Sequence, residues 1–177
     1  MQIRLATIAD VAALHVLVER AYRGDSARQG WTHEADMLGG QRTDQAALIE
    51  MLNDPTQRVL VAEVDGKIVG SVQIQDRGNG LAYLGQLAVD PDVQAGGIGS
   101  RLVNAAETLA IERFAATRME MTVIVQRSEL IAYYLRRGYL ETGEMRLFPF
   151  DNDRIGVATR RDLAFTVLAK PLLSPTP

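Results

Sequence analysis

Gln94-Ala95-Gly96-Gly97-Ile98-Gly99-Ser100 decides how this chain is read, because of what stands on either side of it. Upstream, the apolar run from Leu81 to Val89 predicts a buried strand, closed by Asp90-Pro91. Downstream, Ile98, Leu102, Ala105 and Leu109 recur at helical spacing and predict a long helix from about Gly97 to Phe114. A strand, a glycine-rich loop and a helix start together make a site for an anion. Glycines let the main chain bend and approach a ligand closely, and first-turn N–H groups with the helix dipole favour phosphate. An enzyme that uses a phosphate-bearing cofactor is the expectation.

The elements around this stretch follow from shorter signals. Gln2 to Ala6 alternates like a first strand, and Thr7 with Asp10 has the spacing of a capping box for a helix striped by Val11, Leu14, Val18 and Ala21 or Tyr22. Periodicity is poor from Gly24 to Arg42, and Thr43 is the expected cap of a second helix ending near Asp54-Pro55. Asp65-Gly66 between the apolar runs Arg58 to Val64 and Lys67 to Gln75 predicts a two-residue hairpin. Arg118 to Val125 reads as a β-branched strand, and Ser128 as the cap of a helix that Gly138 terminates. Tyr139 to Arg146 and Leu163 to Leu168 read as a closing pair of strands around a long charged loop, Phe148 to Asp162.

Composition bounds the function. At 177 residues, 47% apolar and 23% charged, the chain suits one α/β domain with a full core. A net charge of −3 argues against a general nucleic-acid or anionic-membrane binder and slightly favours an amine-bearing partner. With no cysteine, disulfides, thiol nucleophiles and cysteine metal sites are excluded, and His15 and His33 stand too far apart to suggest a metal centre. The N-terminal residues carry no apolar signal segment and no run reaches membrane-spanning length, so a cytoplasmic location is expected.

The loop lacks the Lys-Ser/Thr ending of a nucleotide P-loop and the G-x-G-x-x-G dinucleotide spacing. With Gln94, Gly97 and Gly99 in the motif positions, it resembles the Gln/Arg-x-x-Gly-x-Gly/Ala pyrophosphate loop of the GCN5-related N-acetyltransferase (GNAT) family. Leu87-Ala88-Val89-Asp90-Pro91 resembles that family's cofactor strand, and Tyr134-Leu135-Arg136-Arg137-Gly138-Tyr139 its Tyr-x-x-x-Gly-aromatic signature. The order of elements matches from Met1 to about Lys170, which leaves 171–177 as a tail. The resemblance implies a mixed α/β fold, its mostly antiparallel sheet flanked by helices, and acetyl-CoA in a cleft where two parallel strands splay apart.

Carried over by position, the resemblance assigns Leu87, Ala88 and Val89 to the pantetheine arm, one of their N–H groups polarising the thioester as an oxyanion hole does. Gln94 belongs to the same loop, and the amides of Ala95, Gly96, Gly97, Ile98, Gly99 and Ser100 would hold the pyrophosphate. Arg127, where many members have Asn, would touch the pantetheine, a phosphate or only its own helix terminus. Tyr134, on the inward face with Leu130, is the candidate general acid; otherwise it is a core aromatic with a satisfied hydroxyl. A thiol at about 8.5 and a phenol at about 10 are reasonably matched for proton transfer.

The general base stays open. Gly85 stands where many members carry a carboxylate, which leaves a water chain, Glu120 on the next strand or Glu34 in the early loop. Trp31, in a glycine-flanked segment with Glu34 and Asp36, would stack on an acceptor or plug the core, and Phe148 and Phe150 would supply the opposite wall. With no cysteine and no Ser/His/Asp pattern, direct attack by a primary amine in a ternary complex is expected. The acceptor would be a small molecule or a peptide, and a homodimer is the common symmetric default. A catalytically weak acyl-CoA sensor, an O-acyl or longer-chain acyltransferase, and a nucleotide binder are the rival readings.

Overall fold

A computed structural model describes residues 1–23, 27–28, 34–152 and 156–172; of Gln94 and Ala95 it describes the main chain alone. The strands are β1 (Gln2–Leu5), β2 (Leu38–Gly39), β3 (Gln57–Val64), β4 (Lys67–Asp76), β5 (Leu81–Val89), β6 (Arg118–Ile124), β7 (Leu140–Leu147), β8 (Val157–Ala158) and β9 (Ala164–Pro171). The helices are α1 (Val11–Tyr22), α2 (Gln45–Asn53), α3 (Ile98–Phe114) and α4 (Ser128–Leu135). Seven strands form one mixed sheet in the order β1-β3-β4-β5-β6-β9-β7, and β2 pairs with β8 apart from it.

Alternation along β3 shows how the layers are built. Leu60 and Ala62 join the core that packs on α3, whereas Val59 and Val61 point the other way, toward Leu14 of α1 and Leu48 of α2. Burial of side chains such as Leu102 and Leu168, both fully enclosed, stabilises the fold by roughly 1.5–3 kcal/mol each. On β4, Gly70 lets α3 approach closely. A Cβ there would meet Leu102 Cδ1 at 2.8 Å and Ile98 Cγ2 at 2.9 Å.

Most of the expected elements are present, with ends shifted by up to three residues. Asp65 and Gly66 both have positive φ, 50° and 75°, as the two-residue hairpin requires. Asp10 accepts from the Thr7 amide at 2.8 Å and closes the entry to α1 through a short 3₁₀ turn. Two caps differ from expectation. Asp44, not Thr43, caps α2 by accepting from Ala47 N at 2.7 Å, since a carboxylate one residue later reaches the same amide. Arg127, not Ser128, occupies the cap of α4, where no side chain accepts from the first turn. β2 and β8 were not anticipated: two short segments of the aperiodic stretches pair at Leu38↔Ala158 and Gly39↔Val157.

One feature of the sheet positions everything else. β5 and β6 are its parallel pair, and they pair only at Leu81↔Arg118, Ala82↔Met119 and Tyr83↔Glu120. Beyond Tyr83 the two strands separate, while each keeps its antiparallel partner on the far side. Between Ser71↔Ala88 and Gln73↔Gly85, β5 sets two residues, Gln86 and Leu87, against Val72 alone on β4, and Gln86 takes φ 46°. This bulge re-aims the β5 main chain at the mouth of the gap.

Candidate active site

The gap between β5 and β6 opens into a cavity of about 200 Å³. Tyr134 lines it from α4, 4% exposed, its ring edge-on to Tyr133 and Tyr139 at 5.2 Å and 5.8 Å. Burial, the dominant effect, holds its phenol well above the ordinary tyrosine value. Among the described residues its hydroxyl makes no hydrogen bond. Tyr139 differs: it donates to Glu107 Oε1 at 3.0 Å in the core and serves packing.

The glycine-rich loop lies at the start of α3. A 3₁₀ turn over Pro91–Gly96 leads to Gly97, which caps α3 in the left-handed region at φ 69° and has no side chain to satisfy the first turn. The first helical bond runs from Arg101 N to Gly97 O at 3.1 Å, so among the described residues the amides of Ile98, Gly99 and Ser100 have no acceptor. Arg137, which sequence reasoning passed over, donates to Ser100 Oγ and stacks on the Tyr133 ring at 3.4 Å. Its charge adds to the positive end of α3. Three residues of sequence past Tyr134, it was legible only as one more solvated arginine.

At the mouth, the Tyr22 hydroxyl donates to Leu87 O at 2.6 Å, and its phenol is pushed up to about 12 by burial. Sequence reading placed Tyr22 in the stripe of α1 and missed it as a site residue. Tyr83 and Thr122 join hydroxyls at 2.7 Å across the separating strands. Gly85 also lines the cavity. A Cβ there would sit 2.7 Å from Gln73 Oε1 and 3.1 Å from Tyr83 Cε1, so Gln73 fills the room a side chain would need.

Neither candidate base is poised as expected. Glu120 sits outside the cavity at the last paired register, and Arg118 and Arg146 hold its two oxygens, the latter at 3.5 Å. Glu34 does reach the cavity, but as the hub of an ion cluster. Oε2 accepts from Arg23 Nη1 at 2.9 Å, Oε1 from Arg127 Nη1 at 3.3 Å, and Arg42 Nε stands 3.7 Å away. Its lone pairs face guanidinium groups. Arg127 accordingly lies beside the cavity, bound to Glu34, while Arg137 is the arginine at the loop. The Glu19 carboxylate fixes the backbone of Arg42 and Thr43 at 2.7 Å and 2.9 Å, and Arg42 lies over the Tyr22 ring at 5.1 Å.

Phe148 does come to the cavity, 4% exposed and packed on Phe150 and Phe165 with centroids 5.1 Å and 5.4 Å apart. Trp31, expected to stack on an acceptor or plug the core, lies outside the described residues together with His33.

The comparisons agree with this geometry. The model of the acetyltransferase (GNAT) family matches residues 25–139, and the chain belongs to that family. By structure it is similar to yncA of Salmonella typhimurium, a proposed acetyltransferase solved with its cofactor acetyl-CoA, at 20% identity and TM-score 0.72, covering 100% of this chain and 96% of that one. It is also similar to the ribosomal-protein-alanine N-acetyltransferase of Brucella melitensis, at 23% identity and TM-score 0.71 over 97% and 100% of the two chains. The ribosomal-protein-S18-alanine N-acetyltransferase of Escherichia coli aligns at 16% identity and TM-score 0.71 over 99% and 96%. At these identities the likeness speaks for the fold. No curated protein sequence matches the chain. Among the described residues no helix is long and apolar enough to cross a membrane.

Proposed function

We propose that the chain is an acetyl-CoA-dependent N-acetyltransferase acting on a primary amine by direct attack, with residues 1–170 working as one domain. The observation that carries this reading is the unbonded Tyr134 hydroxyl, buried at the point where β5 and β6 part. The residues present fit acetyl-CoA: donors without acceptors at Ile98, Gly99 and Ser100 suit a diphosphate, and the edge of β5 that β6 leaves beyond Tyr83 suits an amide-bearing arm. When bound, acetyl-CoA supplies an activated acyl carbon, to which the amine nitrogen bonds as the carbon–sulfur bond breaks and the sulfur leaves as thiolate.

The chain's own residues divide the remaining work. Amides of the loop, with Arg137 beside Ser100, bind and neutralise phosphate charge. The bulge at Gln86 re-aims the β5 main chain at the gap, where an amide of Leu87 to Val89 would stabilise charge developing on the acyl oxygen. Tyr134 donates its phenolic proton to the departing thiolate. Burial keeps the phenol protonated, so its proton is held for the departing thiolate. With Glu34 and Glu120 engaged by arginines, water in the cleft takes the proton that the attacking amine gives up.

Thiol release from acetyl-CoA, followed with a panel of primary amines and completed by product mass, tests the reading. Amine-dependent release with acetyl on nitrogen is expected. Coenzyme binding without release by any amine would leave a sensor of acyl-CoA instead.

A further inference from the structure

Gly85, on the wall of the cavity, has its open side taken by an amide from the neighbouring strand. Gln73 of β4 is its partner in the ladder and reaches over it with the side-chain oxygen foremost. Oε1 stands 2.7 Å from the point that a Gly85 Cβ would occupy, and Cδ 3.6 Å from it. A glutamine can turn either end forward, and its hydrogen-bond partners decide which end leads.

Those partners form a relay that starts outside the cavity. Asp54, just past α2, accepts from Thr56 N and Oγ1 at 2.8 Å and 2.7 Å on Oδ1, and from Gln57 Nε2 at 2.7 Å on Oδ2. These bonds, that of Gln57 first, hold its carboxyl below the ordinary value, so it is ionised and can only accept. Gln57 must therefore give its Nε2 to Asp54 and turn Oε1 to Gln73. Gln73 must in turn donate Nε2 to Gln57, which leaves its own Oε1 aimed at Gly85. Turned over, it would set two oxygens against each other. Both glutamines are half-buried, where such a mismatch is costly. Among the described residues the Gln73 oxygen accepts no hydrogen bond.

A neutral, pre-aimed oxygen suits one participant in the reaction. An amine attacks only through a free lone pair, so it has to be held unprotonated with that lone pair toward the acyl carbon. A carboxylate beside it would favour the ammonium, which has no lone pair to give. An amide oxygen takes an N–H with far less of that bias, and its bond strengthens as the nitrogen gains positive charge. We infer that Gln73 is a substrate-binding residue whose Oε1 accepts an N–H of the attacking amine beside Gly85. Gln57 touches no substrate and is the positioning residue that orients it. This rests on the N-acetyltransferase reading, and the reaction balances as before. The carbon–nitrogen bond forms, the carbon–sulfur bond breaks and the thiolate takes the Tyr134 proton. Water takes one amine proton, and the other stays on Gln73 as the N–H of the product amide.

Thiol release from acetyl-CoA is followed with ethanolamine, glycinamide and 2-phenylethylamine as acceptors. Gln73→Met keeps the length of the side chain and removes its acceptor oxygen. Its kcat/KM for the amine should fall about fivefold, the scale of one hydrogen bond, with the KM for acetyl-CoA unchanged. Gln57→Met leaves Gln73 in place but frees its amide to turn, and should lower the same constant by about half as much on a logarithmic scale. If Gln73 only filled the room above Gly85, Gln57→Met would leave turnover untouched. An unchanged kcat/KM in Gln73→Met, or a fall there with none in Gln57→Met, overturns the inference and leaves the N-acetyltransferase reading standing. Release with no primary amine removes both. The unaltered protein gives a second readout that does not depend on a variant folding. With coenzyme A bound, the best of the three amines, added at a concentration that saturates turnover, should shift the Gln73 side-chain amide resonances. Resonances that stay in place overturn the inference.

Discussion

Tyr134 combines three properties that rarely coincide in a buried tyrosine: burial that keeps it protonated, a hydroxyl with no partner among the described residues, and a place where two strands part. Tyr134→Phe keeps the ring packing on Tyr133 and Tyr139 and removes only the proton. The expected result is a fall in kcat of about a hundredfold with little change in the KM for acetyl-CoA. Because the phenol lies above its ordinary value, the acid form persists as pH rises. The kcat/KM profile should therefore climb with amine deprotonation and show no falling limb up to about pH 10; a limb centred near neutrality would assign the proton to another group. Tyr134 was legible because its inward face and its distance from Gly138 are local. The arginine cluster was not. Arg127 reaches Glu34 across 93 residues and Arg23 across 11, and nothing in either neighbourhood marks the meeting.

At the scale of elements, the Asp65-Gly66 hairpin and the entry to α1 were legible, because hairpin and capping-box chemistry act within three or four residues, whereas the caps of α2 and α4 were misplaced by one residue. The Thr7 and Asp10 pair shows this and offers a check. Asp10 accepts from Thr7 N and pairs with Arg4 at 2.8 Å and 2.9 Å, while Arg4 also holds Glu63 on β3. The hydrogen bonds from Arg4 hold the Asp10 carboxyl well below the usual carboxylate range. A depressed carboxyl contributes stability that is fully present above the ordinary value of about 4 and lost as pH falls through the folded value. Asp10→Asn should thus cost about 1 kcal/mol in urea unfolding at pH 7, and the deficit should shrink as the pH drops below about 4. A deficit independent of pH would show that the ion pair adds nothing to the cap. Where two capping residues stood side by side, as at Thr43 and Asp44, propensity alone did not choose between them, and geometry did. The β2–β8 pair escaped for a different reason: two-residue strands carry no period, and their pairing joins segments more than a hundred residues apart.

For the whole molecule, the account depends on a sheet that comes apart at its parallel pair and on a helix whose first turn is left without acceptors. Gly70 brings α3 close against β4, and the bulge at Gln86 turns β5 toward the opening that Tyr134 lines. Neither the three-pair contact of β5 with β6 nor the bulge shows in periodicity, since β5 reads as a continuous apolar run and β6 as a β-branched strand. The family resemblance supplied the expectation that two parallel strands splay apart, and the register bears it out; the bulge was not anticipated. The central claim, that main-chain amides of this loop and strand grip acetyl-CoA with its acyl carbon near Tyr134, is tested most directly by following backbone amide resonances as acetyl-CoA is added. The account predicts the largest shifts at Ile98, Gly99 and Ser100 and along Leu87 to Val89. Saturation that leaves those amides unmoved, or moves a different face of the sheet, would contradict it.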